Sequence, residues 1–412
     1  MPAASSSPLP LLRVLHLPKW YPHRYDDQDG DFVARHVAAI AATNTPQQPL
    51  QSAVVFAAVA RGPLPGLIES EVDLSGPVPT WRYYYRARPT GLAPLDKLLK
   101  LGLWLVCMGR GWRAVRRHWQ GQRPHLVHVH VLLRTGLWAL WLRWRHRIPY
   151  VVTEHWSIFL AVNSYRLAWW RGRLAAWLVS RSAAFIPVSD NFRRAMERLG
   201  GRAPRTAIVP NVVDTDLFEL PAEPGRRRGL LNVAVFTEQA KNLSGTLRTV
   251  ARLRTQHPEL QVHLRIAGYG LAEAQMHQLA SELGLLADGT VEFLGKLSLE
   301  QVAAEMRRAK AFVLFSNYEN LPCVLIEAQA SGLPAVATRV NGIPELIPSD
   351  GSAGLLVAPT DEQALYEALL EVLRAPAGRF DEQQMRTTAL ARFSYPAVGA
   401  AFRQVYAAVI SG

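Results

Sequence analysis

The stretch AFVLFSNYENLPCVLIEAQASGLPAVAT, residues 311–338, carries the strongest fold signal in the sequence. A strand is predicted at Ala311–Phe315 and a helix at Pro322–Ala330, and a second strand follows at Ala335–Thr338. Pro322 suits the first turn of a helix, because a backbone N–H is not needed there. Short apolar strands separated by helices are typical of βαβ units and of a parallel sheet that is buried on both faces.

The same alternation extends over the whole chain. The other strands predicted in the second half are Leu231–Phe236, Val262–Ala267, Val291–Leu294 and Gly354–Val357, and the other helices are Leu243–Thr255, Ala272–Leu283, Leu299–Ala309 and Asp361–Leu373. The strands predicted in the first half are Leu11–Leu17, Ser52–Ala60, Leu126–His130, Tyr150–Thr153, Ala184–Val188 and Thr206–Val209, and the helices are Leu95–Trp119, Gly136–Arg147, Leu167–Arg181 and Asn191–Leu199. Two doubly wound sheets in series would bind a ligand at the carboxyl ends of their strands.

Length and composition indicate two folded domains. A chain of 412 residues with 19% charged residues is long enough for two cores and is not typical of a disordered protein. The best predicted linker is Pro221–Gly229, because proline and glycine interrupt both helices and strands. Cys107 and Cys323 lie far apart and match no metal-binding spacing, which indicates a reducing compartment.

The first half of the sequence contains neither a predicted signal peptide nor a predicted membrane-spanning segment. Met1–Pro10 lacks the basic and apolar regions of a signal peptide and is predicted to be a disordered lead. The longest apolar stretch, Leu98–Met108, is too short to cross a bilayer. The sequence therefore predicts a cytoplasmic protein, either soluble or peripheral on the inner face of the membrane.

The net charge of +13 is unevenly placed along the chain. Residues 1–215 hold 28 Lys and Arg against 12 Asp and Glu, a net charge of +16, whereas the remainder holds 18 against 21, a net charge of −3. All 12 tryptophans fall between Trp20 and Trp177. Three predicted helices, Leu95–Trp119, Gly136–Arg147 and Leu167–Arg181, mix Trp and Leu with Arg, a pattern that suits the plane of a membrane interface. The first half is thus predicted to face an anionic membrane, a nucleic acid or an acidic substrate.

Two acids lie in the central strand–loop–helix segment. Glu319 follows the strand, and Glu327 would lie about a turn and a half into the next helix. Carboxylates accept hydrogen bonds from several hydroxyls, and a helix N-terminus favours an anion such as a diphosphate. A bare pair of glutamates would be interpreted as solvated surface groups, so the flanking residues decide their role.

Those flanking residues resemble a known family. Ser316–Ala328 resembles the Glu-x7-Glu motif of the retaining family 4 glycosyltransferases, and Gln329–Glu345 continues the match. The resemblance implies an α/β fold of two facing Rossmann-like, doubly wound parallel-sheet domains of the GT-B type with an interdomain cleft. The implied boundaries are a lead at 1–10, an acceptor-side domain at 11–215, a donor-binding domain at 216–390 and a C-terminal helix at 391–412 that crosses back to the first domain.

The resemblance also implies roles for residues in the second half. Glu319 would bind the donor-sugar hydroxyls with help from the backbone at Asn320 and Leu321, and Glu327 would bind the ribose. Lys241, in a segment similar to the family's Lys-Asn helix start, would neutralise the leaving diphosphate. Gly268 belongs to a Gly-x-Gly turn of the donor domain.

One position departs from the family pattern. Many members carry an arginine upstream of the lysine, and Phe236 stands at about that place. Either another basic residue substitutes for it, or Lys241 acts with the helix dipole alone.

In the first half the resemblance implies a catalytic His155, which follows a predicted strand and could hydrogen-bond the transferring sugar; a structural role is the alternative. Gly30 belongs to a loop that approaches the donor or acceptor. His128 and His130 share a strand face and are interpreted as structural or cleft-lining, since no third ligand is spaced to join them. Asp214 and Asp216 are interpreted as hinge residues, so no metal is expected.

The resemblance therefore implies a retaining glycosyltransferase that moves a sugar from a nucleotide-sugar donor to an acceptor hydroxyl. The expected pathway is polysaccharide, glycolipid or other cell-envelope glycan synthesis, with a glycan or lipid-linked acceptor, an anionic membrane surface as a further partner, and neither cofactor nor nucleic acid. A nucleotide-sugar epimerase on the same architecture is an alternative, which the absence of an acceptor-dependent product would favour. A basic nucleic-acid-binding protein is another, but it leaves the donor-domain motifs unexplained.

Overall fold

The computed structural model describes residues 10–88, 90–223, 227–376 and 378–411, with the backbone alone at 164–166. Residues 1–9 of the predicted lead and residues 224–226 of the predicted linker lie outside the described residues. The described chain divides into two compact units. The first comprises the described parts of Met1–Val188, Arg193–Val209 and Val398–Gly412, and the second those of Ser189–Phe192 and Pro210–Ala397.

The first unit is built on a seven-stranded sheet with the order β3-β4-β2-β1-β5-β6-β7. Its strands are β1 (Leu12–Pro18), β2 (Leu50–Val59), β3 (Ile68–Asp73), β4 (Thr80–Tyr85), β5 (Leu126–His130), β6 (Tyr150–Glu154) and β7 (Ala184–Pro187). β3 pairs antiparallel with β4, and the other pairs are parallel. The central strands β5 and β6 are buried at every residue, as expected for a sheet covered on both faces.

Helices in the first half of the chain are α1 (Asp31–Ala42), α2 (Ala93–His118), α3 (Arg134–His146), α4 (Trp169–Ser180) and α5 (Asp190–Arg198), with short 3-10 turns at Ser157–Phe159 and Ala161–Arg166. The loop between β5 and α3 is unusual, because Val131 and Leu133 adopt positive φ angles of 66° and 79°. Side chains with a Cβ, and β-branched ones above all, rarely adopt this conformation, so the loop that presents Arg134 is strained.

The second unit is built on a six-stranded, fully parallel sheet with the order β10-β9-β8-β11-β12-β13. Its strands are β8 (Leu230–Val233), β9 (Leu264–Ala267), β10 (Val291–Gly295), β11 (Ala311–Leu314), β12 (Ala335–Thr338) and β13 (Gly354–Val357). The later helices are α6 (Glu238–Lys241), α7 (Leu243–Gln256), α8 (Glu273–Glu282), α9 (Leu299–Arg308), α10 (Cys323–Ala330), α11 (Glu362–Arg374), α12 (Glu382–Phe393) and α13 (Tyr395–Ile410), with 3-10 turns at Pro258–Leu260 and Ile343–Glu345.

The predicted fold class, two doubly wound parallel sheets, is confirmed. The predicted strand Thr206–Val209 is wrong: the segment runs beside β7, but only Thr206 forms a β-bridge, with Phe185. The sequence interpretation also missed β3, β4, α1 and α12. Both missed strands lie at one edge of the sheet, where β3 alternates between half-buried and exposed residues rather than forming an apolar run.

Candidate active site

The loops that leave β8, β9, β10, β11 and β12 emerge at one edge of the second sheet, because all these strands are parallel. Lys241 is the last residue of α6, which follows β8, and Glu319 lies in the loop after β11. Lys241 Nζ is 2.5 Å from Glu319 Oε1, and the Ser316 hydroxyl donates to the same oxygen at 2.8 Å. The structure thus brings together two predicted site residues as a buried carboxylate and a half-buried ammonium.

The Glu319 loop is held from three sides within the second unit. Its backbone N–H donates to Asn341 Oδ1 at 3.3 Å, and Asn211 Nδ2 donates to the Leu321 carbonyl at 2.7 Å. Gly342 packs so closely that a Cβ there would lie 2.1 Å from the Asn320 carbonyl oxygen. Sequence reasoning assigned no role to Asn341 or Gly342, although both lie in the segment that continues the family match.

Lys241 is positioned by a short helix and a side-chain cap. The Glu238 carboxylate accepts hydrogen bonds from the Leu243 N–H at 2.9 Å and the Ser244 N–H at 3.3 Å. It therefore caps the first turn of α7, the helix whose dipole the sequence interpretation offered as help to Lys241. The Asn317 N–H donates to the Ala240 carbonyl at 2.7 Å, which joins the lysine turn to the loop after β11.

Phe236 and Gly268 have packing roles. Phe236 is buried, and its ring centroid lies 6.2 Å from that of Phe293, so the place of the family's arginine is part of the core. Gly268 has a φ of 145°, and a Cβ there would lie 1.8 Å from the Ala234 carbonyl oxygen. The glycine is required by close backbone packing, whatever its contact with a ligand.

Glu327 is the fifth residue of α10 and is only 3% exposed. The helix begins at Cys323, one residue later than predicted, because Pro322 is its N-cap with an extended backbone, and its first turn carries no acidic side chain. Glu327 is therefore not the solvated surface carboxylate that a bare pair of glutamates would suggest.

His155 lies in the first unit, directly after β6. The preceding Glu154 is fully buried and accepts hydrogen bonds from the backbone N–H groups of His155 at 2.9 Å, Trp156 at 2.8 Å and Leu132 at 2.7 Å. Burial raises the pKa of Glu154 to about 7, against the opposing effect of those hydrogen bonds and of the nearby Lys19. Sequence reasoning missed Glu154, which fixes the backbone around His155 and the strained β5–α3 loop.

One interpretation in the first unit is revised by the structure. A third histidine, His16 on β1, joins His128 and His130: its Nδ1 lies 3.1 Å from His130 Nε2. The expectation that no third ligand joins the pair is therefore wrong, because adjacent strands bring together residues that are distant in sequence. Burial lowers the pKa of His16 to about 3 and those of His128 and His130 well below 6.5, so these rings are neutral.

Gly30 packs closely against the backbone of Trp20. Gly30 has a φ of 68° at the start of α1, and a Cβ there would lie 2.3 Å from the Trp20 backbone carbon. Asp214 accepts hydrogen bonds at 3.1 Å from the N–H groups of Asp216 and Leu217 and so closes a turn.

The C-terminal residues 398–411 belong to the first unit, where the Tyr406 hydroxyl lies 2.6 Å from His128 Nδ1. Among the helices of the described residues, none combines the length and apolar character needed to cross a membrane.

Two α/β units built on parallel sheets in series are the architecture of the GT-B glycosyltransferases, and the family models identify the class. A family model described as Glycosyltransferase Family 4 matches residues 59–217, and one described as Glycosyl transferases group 1 matches residues 227–375. The chain belongs to the family 4 glycosyltransferases and is a nucleotide-sugar-dependent enzyme.

Similar proteins agree with this assignment. The MMP alpha-(1->4)-mannosyltransferase of Mycolicibacterium hassiacum is 29% identical over 370 residues, which cover 85% of this chain and 82% of that protein. The phosphatidyl-myo-inositol mannosyltransferase of Mycobacterium leprae is 30% identical over 63% of this chain and 67% of its own length.

Two solved structures share the fold. The sucrose-phosphate synthase of Thermosynechococcus elongatus has a TM-score of 0.73 at 21% identity and covers 97% of this chain and 99% of its own. HepE of Anabaena, solved in complex with UDP, has a TM-score of 0.70 at 16% identity, with 96% of this chain and 100% of that chain covered.

Proposed function

We propose that the protein is a retaining glycosyltransferase whose second unit binds the nucleotide-sugar donor and whose first unit binds the acceptor. The observation that supports this most directly is the Lys241–Glu319 pair at the carboxyl edge of the second sheet. In the absence of a ligand each charge satisfies the other. A nucleotide-sugar donor would offer hydroxyls to Glu319 and a diphosphate to Lys241, so each residue would exchange its partner in the pair for a group of the donor.

The proposed division of labour follows the charges. Glu319, with the backbone at Asn320 and Leu321, accepts hydrogen bonds from the sugar hydroxyls, and Glu327 accepts them from the ribose. Lys241 faces the diphosphate, whose negative charge grows as the glycosidic bond breaks, so it stabilises the transition state more than the ground state. We propose transfer on one face of the sugar without a covalent intermediate, in which positioning and electrostatics supply the catalysis.

We further propose that transfer needs no divalent metal, with Lys241 and the start of α10 balancing the diphosphate charge. The chelator EDTA should leave activity unchanged. Activity that EDTA abolishes and magnesium or manganese restores would contradict this proposal. The role of His155 toward the transferring sugar stays a prediction.

The proposed setting is the cytoplasmic face of an anionic membrane, in cell-envelope glycan synthesis with a lipid-linked or membrane-made acceptor. Large apolar side chains are exposed on three helices of the first unit: Leu98 is 70% exposed, Trp144 78% and Trp169 77%. Basic residues on these helices would meet anionic lipid at about 1 kcal/mol each. Sedimentation with vesicles rich in anionic lipid tests this. A protein that sediments with neither anionic nor neutral vesicles at low salt would contradict it.

The enzyme itself is tested with a panel of nucleotide sugars in a thermal-shift assay, followed by transfer to an acceptor and assignment of the product anomer by NMR. Glu327→Gln should weaken donor binding by about tenfold or more, as loss of a charge-assisted hydrogen bond predicts. Glu282→Gln, which changes an exposed side chain at the end of α8, is the matched control and should bind donor as the parent does. Equal binding by both variants would refute the donor assignment.

Two further results discriminate between mechanisms. Lys241→Ala should weaken binding of the nucleoside diphosphate but not of the free nucleoside, which lacks the diphosphate. A product with inverted anomeric configuration would refute retention. Conversion of the donor sugar without an acceptor-dependent product would favour the epimerase alternative.

A further inference from the structure

A cavity of about 720 Å³ lies in the first unit, where β1, β2, β4 and β5 end. This is the carboxyl edge of the first sheet, the edge at which parallel α/β sheets bind ligands. The volume is within the range of small-molecule sites. The cavity has two chemically different sides, one apolar and one basic.

The basic side carries more positive charge than the protein itself balances. Five cationic residues line the cavity: Lys19, Arg61, Lys97, Arg134 and Arg171. Asp29 is the single carboxylate among the described lining residues, and it already lies 3.4 Å from His23. Within the part of the chain that the structure describes, Lys97, Arg134 and Arg171 form no ion pair. From Lys97 to Ser189 the sequence has 15 Lys and Arg against one acid, the buried Glu154.

Lys19 is the most enclosed of these cations. Its Nζ lies 3.2 Å from the ring centroid of Trp156 and 4.6 Å from that of Trp20. Burial, and next the charges of Arg134 and Arg171, lower the pKa of Lys19 to about 8, against the opposing charges of Glu154 and Asp29. The cations therefore repel one another, and an anion that bridged them would relieve that repulsion.

The apolar side continues onto the surface. Trp104 lines the cavity and is buried, whereas Leu101, Leu137 and Trp170 line it while remaining 42%, 44% and 50% exposed. They lie on α2, α3 and α4, next to strongly exposed side chains such as Leu98 and Trp169. A ligand seated among the cations would thus have an apolar path to the exposed faces of these helices.

We propose that this cavity holds the diphosphate of a lipid-diphosphate-linked acceptor, with Arg134 and Arg171 on the diphosphate and the lipid chain leaving past Leu101, Leu137 and Trp170. The inference rests on the proposed function, because it names the acceptor class of the same transfer reaction. Guanidinium groups bind phosphate oxygens through paired hydrogen bonds. Two arginines therefore suit a diphosphate better than two lysine ammonium groups, each of which acts as a point charge. An uncharged glycan would leave the cationic cluster unbalanced, and a free sugar phosphate would leave the apolar wall exposed to water.

The test measures binding to the purified full-length chain by isothermal titration calorimetry with three probes. These are geranylgeranyl diphosphate, inorganic diphosphate and geranylgeraniol, each below its critical micelle concentration. The lipid diphosphate should bind at least about tenfold more tightly than either half-probe, since both sides of the cavity contribute. Equal affinity for inorganic diphosphate would overturn the lipid part, and equal affinity for the alcohol would overturn the anion part.

Variants locate the site. Arg134→Gln and Arg171→Gln change exposed side chains and should each weaken binding of both diphosphate probes by about tenfold. Arg173→Gln, two residues away on α4 and outside the cavity, is the matched control and should bind as the parent does. Leu137→Asn should weaken the lipid diphosphate while sparing inorganic diphosphate. Equal losses in Arg171→Gln and Arg173→Gln would indicate a diffuse electrostatic attraction and overturn the proposal.

A parallel donor measurement separates this inference from the proposed function. Arg171→Gln should bind the nucleoside diphosphate as the parent protein does, and Lys241→Ala should bind geranylgeranyl diphosphate as the parent does. A parent protein that binds no nucleotide sugar would refute the proposed function while leaving the lipid-diphosphate site standing. Competition between nucleoside diphosphate and geranylgeranyl diphosphate would show that the probe occupies the donor site and would overturn the inference.

Discussion

The ion pair between Lys241 and Glu319 can be tested with Glu319→Gln, Lys241→Met and the double variant. Unit charges about 4 Å apart near a protein surface attract by about 4 kcal/mol, but desolvation offsets much of this. A charge-assisted hydrogen bond contributes about 1.5–3 kcal/mol net. The lysine side chain is 21% exposed and the glutamate 10%. Because Lys241 can recover part of its hydration when Glu319 is removed, we expect the lower end, a coupling of about 1.5 kcal/mol.

Urea unfolding of the four proteins measures this coupling as a double-mutant cycle. The control cycle uses Arg254 and Asp288, an ion pair of 3.0 Å in the same unit whose side chains are 29% and 48% exposed. We expect its coupling to stay below about 1 kcal/mol, as for other exposed pairs. The difference between the two coupling free energies shows how much the burial of Glu319 strengthens its interaction with Lys241.

Repeating the cycle with bound nucleotide tests whether Lys241 binds the diphosphate. When a nucleoside diphosphate saturates the parent protein, Lys241 should turn to the diphosphate, and its coupling with Glu319 should fall toward zero. The control pair should not respond. Coupling that stays at about 1.5 kcal/mol in the presence of bound nucleotide would refute the assignment of Lys241 to the diphosphate. Stability effects that simply add without nucleotide, within about 0.3–0.5 kcal/mol, would show that the pair contributes nothing net.

Three further predictions concern other parts of the structure. Gly342→Ala should lower kcat/KM by up to about 100-fold, because a Cβ 2.1 Å from the Asn320 carbonyl displaces the Glu319 loop; Gly76→Ala, where a Cβ meets nothing within 4 Å, is the control. The contribution of Glu154 to stability should fall as pH rises from 4.5 to about 7, since burial raises the pKa of Glu154 and the folded state holds its proton longer than the unfolded chain. The buried neutral histidines His16, His128 and His130 give the opposite slope in both proteins, so the measurement is the difference in urea unfolding between the parent and Glu154→Gln, which should shift in favour of the variant over this range; a difference that does not change with pH would contradict this. Tyr406→Phe should destabilise the protein by about 1–3 kcal/mol in the same assay, because it leaves a buried His128 nitrogen unpaired; no loss would contradict this.

Much of the fold could be predicted because its central strands are short apolar runs. β5 and β12 have the predicted bounds, and both are buried along their length. α1 was missed because Gly30 and its neighbours suggested a loop, whereas the left-handed glycine begins a helix against the Trp20 backbone. α12 was missed because its buried residues, Met385, Ala389 and Phe393, form a narrow stripe in a polar segment.

Residues that meet through the sheet were harder to predict than residues within one motif. His16 joins His128 only because β1 and β5 are paired in that register. Glu154 acts on the backbone of Leu132, which is 22 residues away, through a loop whose positive φ angles leave no sequence pattern. Such contacts follow from strand order, and strand order was not readable from hydrophobic periodicity.

The two units therefore differ in what their sequences reveal about function. In the second unit the acids and the close-packed glycine lie within residues 316–345, so one contiguous segment carries most of the donor-site signal. In the first unit the proposed acceptor groups come from separate elements: Lys19 follows β1, Arg134 begins α3 and Arg171 lies on α4. Each alone resembles a solvated basic residue, and only the folded unit places all three around one cavity. An acceptor site assembled in this way can change its specificity by single substitutions in α2, α3 or α4 while the donor segment stays intact, so acceptor selectivity should be sought in those helices.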